Sequence, residues 1–353
     1  MKIAIDCRFI GKSGIGTYIS NIVDELVHNY PEHQYLFIIK KGKHLDKLCS
    51  NVKYIETEIE PFSIKELLCF PTKEINQCDA FFTPYINIPG GINIPIFSTI
   101  HDVIFLDVPN LTSALGGFFR KLYIGRAIRK SKAIFTVSEF SKKRIIYHFK
   151  TTKFINITYS AISTTLKQFA AIHKQKRNGN YLIYVGNIKK HKGLKVLLDA
   201  YNNACKEGYG KRLIIVGDGN KIRTADRDVD DSIKGNDRIS FTGFISNDDM
   251  YNLMQGADAL ILPSFYEGFG LTPLEALYLG TDVIISDIPV LKEIYGQLPV
   301  TYFKVGDSED LKKKIIDNHE KVKSLDELRD KIDGLYNFKN ITEKIIEKII
   351  YFK

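Results

Sequence analysis

Cysteine is scarce in this chain and carries no pattern. The five thiols, Cys7, Cys49, Cys69, Cys78 and Cys205, are odd in number and scattered, and no C-x-x-C pair occurs among them. That excludes a disulfide framework and a zinc site built on paired cysteines. Long apolar runs are missing as well: no stretch approaches the roughly 18 to 20 residues that a membrane span requires. The opening MKIAIDCRFI reads as a strand running into a glycine turn rather than as a secretion signal, so a cytoplasmic protein is expected. No Asp-x-Asp pair stands at a strand end, so neither a metal nor a cofactor is expected. No short repeat or low-complexity tract is present.

What is present fits two soluble α/β domains. The 353 residues are 44% hydrophobic and 26% charged, and a chain of that length has enough apolar material for two cores. The net charge of +9 is uneven: residues 1–165 carry 21 Lys and Arg against 14 Asp and Glu, the remainder 29 against 27. A basic first half suits nucleic acid, an anionic membrane surface or a phosphorylated substrate, and charge alone does not choose among them.

Apolar runs alternate with helical patterns along the whole chain. Strands are expected at Ile3–Asp6, Tyr35–Lys40, Ala80–Thr83, Ile96–His101 and Ala133–Val137. After a polar stretch at 168–180, taken as the linker, they resume at Tyr181–Gly186, Arg212–Gly217, Ile239–Gly243, Asp258–Pro263, Asp282–Asp287 and Val300–Phe303. Helices are expected from about Ile15 to Tyr30, over Leu194–Lys206 and Asp248–Gly256, and at Ile341–Tyr351, which has no strand after it. This alternation predicts parallel sheets in two doubly wound, Rossmann-like domains facing each other across a cleft.

The segment Ser264-Phe265-Tyr266-Glu267-Gly268-Phe269-Gly270-Leu271-Thr272-Pro273-Leu274-Glu275 is the most informative in the chain. It joins an apolar strand to a helix start, the place where open α/β sheets hold phosphorylated ligands against free N–H groups. Gly268 and Gly270 allow the main chain to approach a ligand, and two carboxylates there suit sugar and ribose hydroxyls. Thr272 and Glu275 also fit a T-x-x-E capping box with Pro273 at the first helical position, which would make Glu275 a cap. Glu267, ahead of the helix, has no such structural alternative. Elsewhere, Gly14-x-Gly16 lacks the third glycine of a dinucleotide loop, Ile19 standing in its place. His101 at a strand end suits either a structural or a catalytic histidine, and Ser138 and Ser141 suit helix capping. Residues 116–130 read as a basic helix bearing aromatics, either core-packed with a solvated face or turned to a membrane.

Taken together, the Glu-x7-Glu turn, the double α/β alternation and several shorter motifs resemble family 4 glycosyltransferases, which are retaining enzymes of the GT-B fold. Ser13-Gly14-Ile15-Gly16-Thr17-Tyr18 resembles the family's N-terminal glycine loop, Ile100-His101-Asp102 its cleft histidine, and Val137-Ser138-Glu139-Phe140-Ser141 its VSEFS element. Val185-Gly186 with Lys192-Gly193 resembles the donor-phosphate motif, and Phe241–Phe244 the strand beside the nucleotide base. Asn187 stands where the family usually has an Arg for the donor diphosphate.

The resemblance implies catalytic roles for Glu267 and His101, the latter from the opposite domain. It implies donor binding by Gly14, Gly16, Asn187, Lys192, Phe244, Gly268, Phe269, Gly270, Leu271, Thr272 and Glu275. It also implies domains at 1–168 for the acceptor and 169–335 for the nucleotide sugar, with 336–353 crossing back as a C-terminal helix. The opening Ile5-Asp6-Cys7-Arg8 before Ser13 is similar to that of bacterial mannosyl- and rhamnosyltransferases. The function so implied is hexosyl transfer from a nucleoside diphosphate sugar to a growing, lipid-linked polysaccharide or lipopolysaccharide. It calls for no metal and no nucleic acid, and for peripheral contact with an anionic membrane. A sugar-nucleotide epimerase or hydrolase, or a non-catalytic subunit, is the alternative.

Overall fold

A computed structural model describes residues 1–11, 13–43, 49–109, 111–173, 179–217, 229, 232–233, 236–317 and 321–352, with the side chains of Ser13 and Ala114 left aside. The chain divides into two compact units, 1–163 with 336–353, and 164–335. The division falls ahead of helix Thr164–Ile172 rather than at residue 168, because Leu166, Phe169 and Ala170 bury their side chains in the second unit. Residues 174–178 of the expected linker lie outside the described residues.

The first unit holds seven parallel strands, β1 Lys2–Asp6, β2 Gln34–Lys40, β3 Val52–Thr57, β4 Ala80–Thr83, β5 Ile96–Thr99, β6 Ser131–Thr136 and β7 Ile155–Ile157. They lie in the order β3-β2-β1-β4-β5-β6-β7. Continuous burial of β4 and β5 fits a parallel sheet whose two faces are both covered, with Thr83, Ser98 and Thr99 buried beside the apolar residues. Helix Ser13–Asn29 packs against the C-terminal helix Phe338–Tyr351, which buries Ile341, Ile345 and Ile349 in this first unit.

The second unit repeats the plan with six strands, β8 Tyr181–Val185, β9 Arg212–Val216, β10 Ile239–Phe241, β11 Ala259–Leu262, β12 Asp282–Ser286 and β13 Thr301–Phe303. Their order is β10-β9-β8-β11-β12-β13, all pairs parallel. In each sheet the winding reverses beside the unit's first strand, between β1 and β4 and between β8 and β11. Loops leaving the carboxyl ends of those strands diverge and open a crevice for ligands. Among the described residues, no helix is long and apolar enough to cross a membrane.

Candidate active site

In the second unit the loops after β8 and β11 meet. After β8 the chain runs through Gly186 and Asn187 into a short 3-10 turn, Lys190–Lys192, and then into helix Leu194–Lys206. Gly193 joins turn and helix at φ 68°, where a Cβ would stand 1.9 Å from the carbonyl oxygen of Pro263. No other residue fits there, so the two loops are held at backbone contact. The Phe265 N–H donates to the His191 carbonyl at 2.8 Å and ties them again.

This clamp places Lys192 against Glu267. The Lys192 ammonium donates to both Glu267 carboxylate oxygens, at 2.8 and 2.9 Å, and the Ser264 hydroxyl donates to Oε1 at 2.7 Å. Glu267 is buried and Ser264 wholly so, while the Lys192 side chain keeps 23% exposure and one spare donor direction. The His191 side chain is buried beside them with Nδ1 unpartnered among the described residues, and burial together with Lys192 pulls its pKa down to about 4. Burial, with Glu267 nearby, holds the Tyr184 phenol well above its ordinary value. Asn187 is exposed, and only its carbonyl is engaged, by Tyr184 Oη and the Lys189 N–H.

Helix Leu271–Tyr278 starts two residues earlier than a capping box requires. Gly270 is the N-cap at φ 80°, no side chain caps the helix, and Pro273 lies in its first turn rather than at its first position. Thr272 is therefore inside the helix and Glu275 closes no box with it, which removes the capping reading of that pair. A Cβ on Gly270 would meet Leu291 at 2.7 Å, and the Tyr295 hydroxyl donates to the Gly270 carbonyl, so the turn is fixed from behind. Among the described residues no side chain caps the N–H groups of this first turn, which lies beside Gly268 and the buried Phe269 and includes Leu271 and Thr272. The Glu275 carboxyl has no hydrogen-bond or ion-pair partner among the described residues, and burial pushes its pKa up to about 7. Phe244 stands 85% exposed after Gly243, which bridges to Gly217 at the end of β9.

In the first unit, His101 follows β5. Its Nε2 meets the Pro84 carbonyl at 3.0 Å, its ring stands edge-on to the buried Tyr18 at 4.9 Å, and burial lowers its pKa to about 4. A carbonyl only accepts, so Nε2 carries the proton and Nδ1 is a lone-pair acceptor without a partner among the described residues. Gly14 faces open space, whereas a Cβ on Gly16 would lie 2.6 Å from the Phe9 carbonyl oxygen, a packing reason for that glycine. Ser138 caps helix Glu139–Phe149, accepting from the Ser141 N–H at 3.0 Å, and this gives the VSEFS element a structural purpose. Among the described residues no group of three His, Cys, Asp or Glu is placed to hold a metal ion.

Ser264 and His191 were not assigned a role from sequence, and only the approach of the two loops gives them one.

Residues 167–333 match the family model described as Glycosyl transferases group 1. The chain is similar to the O-antigen chain mannosyltransferase RfbU of Salmonella typhimurium, 28% identical over 207 residues covering 56% of this chain and 53% of that protein. It is 26% identical over 332 residues to the O-antigen biosynthesis glycosyltransferase WclY of Escherichia coli, covering 86% and 84%. The chain spans about half or less of the length of the first curated relatives it matches. Sucrose-phosphate synthase of Thermosynechococcus elongatus superposes with a TM-score of 0.71 at 15% identity, covering 98% of both chains. HepE of Anabaena, crystallised with UDP and glucose, gives 0.71 at 16% identity over 99% and 100%. The two doubly wound units have the GT-B fold, and residues 167–333 match the family Glycosyl transferases group 1.

Proposed function

We propose that the protein is a retaining hexosyltransferase, moving mannosyl or rhamnosyl from a nucleoside diphosphate sugar to a growing polysaccharide or lipopolysaccharide on a lipid carrier. The observation that carries this reading is the Lys192–Glu267 pair, seated at the sheet's switch point beside an uncapped helix start. A departing diphosphate needs positive charge that is already in place, because preorganised dipoles and cations cost no reorganisation as the bond breaks. Lys192 and the first-turn N–H groups of helix Leu271–Tyr278 supply it. Glu267, locked by Lys192 and Ser264, orients the sugar hydroxyls rather than attacking carbon, so no double-displacement nucleophile is assigned. The leaving phosphate takes the acceptor's proton. Glu275 offers its unpartnered carboxyl to the ribose, Phe244 lies beside the base, and His101 presents the neutral Nδ1 to a substrate hydroxyl. The relatives named above, which act in O-antigen assembly, support the acceptor class, and the basic first half supports peripheral contact with an anionic membrane.

The test is nucleotide release from a panel of GDP-, dTDP- and UDP-sugars, with and without membrane lipid extract and with EDTA present. Acceptor-dependent release that survives EDTA is expected. Release without acceptor would make the protein a hydrolase or epimerase, and donor binding without release would make it a non-catalytic subunit, the reading that Asn187 in place of an arginine favours.

A further inference from the structure

The first unit contains an apolar cavity of about 660 Å³ near the carboxyl ends of β3 and β4, within the roughly 300–1,000 Å³ of ligand pockets. Phe62, Ile64, Leu67, Ile86, Phe119 and Leu122 make most of its wall. Its surroundings are apolar and open to solvent: Ile64 and Leu68 are 75% and 78% exposed, and Leu115, Phe118, Phe119 and Leu122 are each half exposed or more. Clustered exposure on this scale marks a contact surface rather than ordinary surface scatter.

The wall is built rather than incidental. Phe62 adopts φ 66°, a left-handed conformation that strains a bulky residue. Its N–H donates to Glu66 Oε2 at 2.7 Å, and its carbonyl accepts from Tyr123 Oη at 3.2 Å. Glu66 is in turn fixed by the buried Arg8 and by Asn87, so the opening Ile5-Asp6-Cys7-Arg8 motif braces this loop.

The helix on one side of the opening carries charge of one sign. Helix Ala114–Lys130 carries Arg120, Lys121, Arg126, Arg129 and Lys130 and no carboxylate. Arg126 turns inward to the carbonyls of Ile88 and Pro89, so it is not part of the basic surface. Arg120 lines the cavity with its guanidinium 3.6 Å from the Phe105 ring centroid and no carboxylate partner among the described residues. A second copy docking face to face would oppose these cations to each other, whereas an anionic lipid complements them.

We propose that this cavity takes a hydrocarbon chain of an anionic phospholipid whose phosphate pairs with Arg120, seating the first unit on a membrane leaflet. The inference deepens the transferase reading, on which it rests only for the acceptor's being lipid-linked, and its test needs no turnover, so either can fail alone. The chain has no tryptophan, so a single introduced indole reports its own surroundings. Phe119→Trp sits at the cavity. Phe154→Trp, at a position 71% exposed just before β7 at the amino edge of the sheet, is the control. With phosphatidylglycerol vesicles whose chains are brominated, at low salt, the fluorescence of the Phe119→Trp protein is expected to fall at least twofold and that of the Phe154→Trp protein to stay constant. Arg120→Gln should weaken vesicle binding several-fold with its circular dichroism unchanged. Three results would overturn the proposal: no sedimentation with these vesicles, sedimentation of the Phe119→Trp protein without quenching of its indole, or a dimer in sedimentation velocity that Leu122→Asp separates.

Discussion

Both units place a carboxylate–cation cluster at the end of the first strand of their sheet, and the two clusters are finished differently. After β1, Arg8 donates to Asp6 at 2.6 and 2.9 Å, to Glu66, and to the Ile59 carbonyl at 3.0 Å, while lying 4.6 Å from the Phe70 ring centroid. Asn87 donates to both carboxylates and the Phe62 N–H to Glu66, so every carboxylate oxygen is paired. Burial alone would lower the Arg8 pKa, and Asp6 and Glu66 more than reverse it. After β8, Lys192 and Glu267 pair with only Ser264 as further support among the described residues, and the ammonium stays partly exposed. A closed network fixes backbone; an open one leaves its charges for a ligand. The first cluster braces a wall, and the second is the one proposed to meet substrate.

The comparison breaks most sharply at Arg8. Arg8→Ala leaves two buried carboxylates without their cation, and removing one partner of a buried pair costs about 3–5 kcal/mol. Urea unfolding should show a loss of that order, and a smaller loss than Lys192→Ala causes would reverse the assignment of brace and site.

Glu267 tests the other half. Glu267→Gln keeps the shape and one acceptor oxygen but loses the charge, and kcat/KM is expected to fall by roughly 100-fold, about 2.7 kcal/mol. The melting temperature should move little. Near-normal turnover would remove Glu267 from the chemistry.

The sequence carried the second site further than the first, for physical reasons. Glu267 and Glu275 lie on one continuous strand–turn–helix segment, so local spacing displays them. Lys192 is 75 residues away, legible only through the resemblance, and its pairing depends on Gly193 meeting Pro263. The Arg8 cluster joins positions 6, 8, 66 and 87, which no local pattern connects. The expected strands omitted β3, whose Val-Lys-Tyr-Ile-Glu-Thr is partly exposed at the sheet edge and lacks an apolar run, and β7, which at three residues is too short to show a period. The capping box misled because Thr-Pro is a good helix start in isolation. Gly270, held left-handed by Tyr295 and Leu291, begins the helix earlier.

Glu275 sharpens the contrast between a paired and an unpaired carboxylate. Its pKa is raised to about 7 by burial, so the folded state binds the proton more tightly than the unfolded chain, whose ordinary value is 4.5. The stability it contributes is therefore present below pH 4.5 and lost as pH rises through about 7. A ribose hydroxyl prefers the charged acceptor, so donor affinity should rise with pH across the same range. Isothermal titration at about pH 6 and pH 8 is expected to show wild type gaining several-fold over Glu275→Gln only at the higher pH. Equal donor affinity of the two proteins at the higher pH would refute the ribose contact.

The smallest effect expected is none at all, and it concerns two histidines, one in each unit. His101 is lowered to about 4 by burial, and His191 to about 4 by burial and Lys192. Folded values below the ordinary 6.5 mean that the unfolded chain takes up the protons first, so stability falls as pH drops from about 6.5 toward 4 and is unaffected above. Between about pH 6.5 and 8 both rings are neutral, and His101 keeps its Nε2 proton on the Pro84 carbonyl with Nδ1 free to accept. The ring-proton resonances of His101 and His191, assigned by His101→Gln and His191→Gln, should not titrate between about pH 5 and 8, and kcat/KM of Glu275→Gln, freed of the Glu275 titration near 7, should show no limb near 6.5. A His101 resonance that shifts with a midpoint near 6.5 would mean an imidazolium forms under working conditions. Nδ1 would then donate instead of accept, and the role proposed for His101 toward a substrate hydroxyl would have to be reversed.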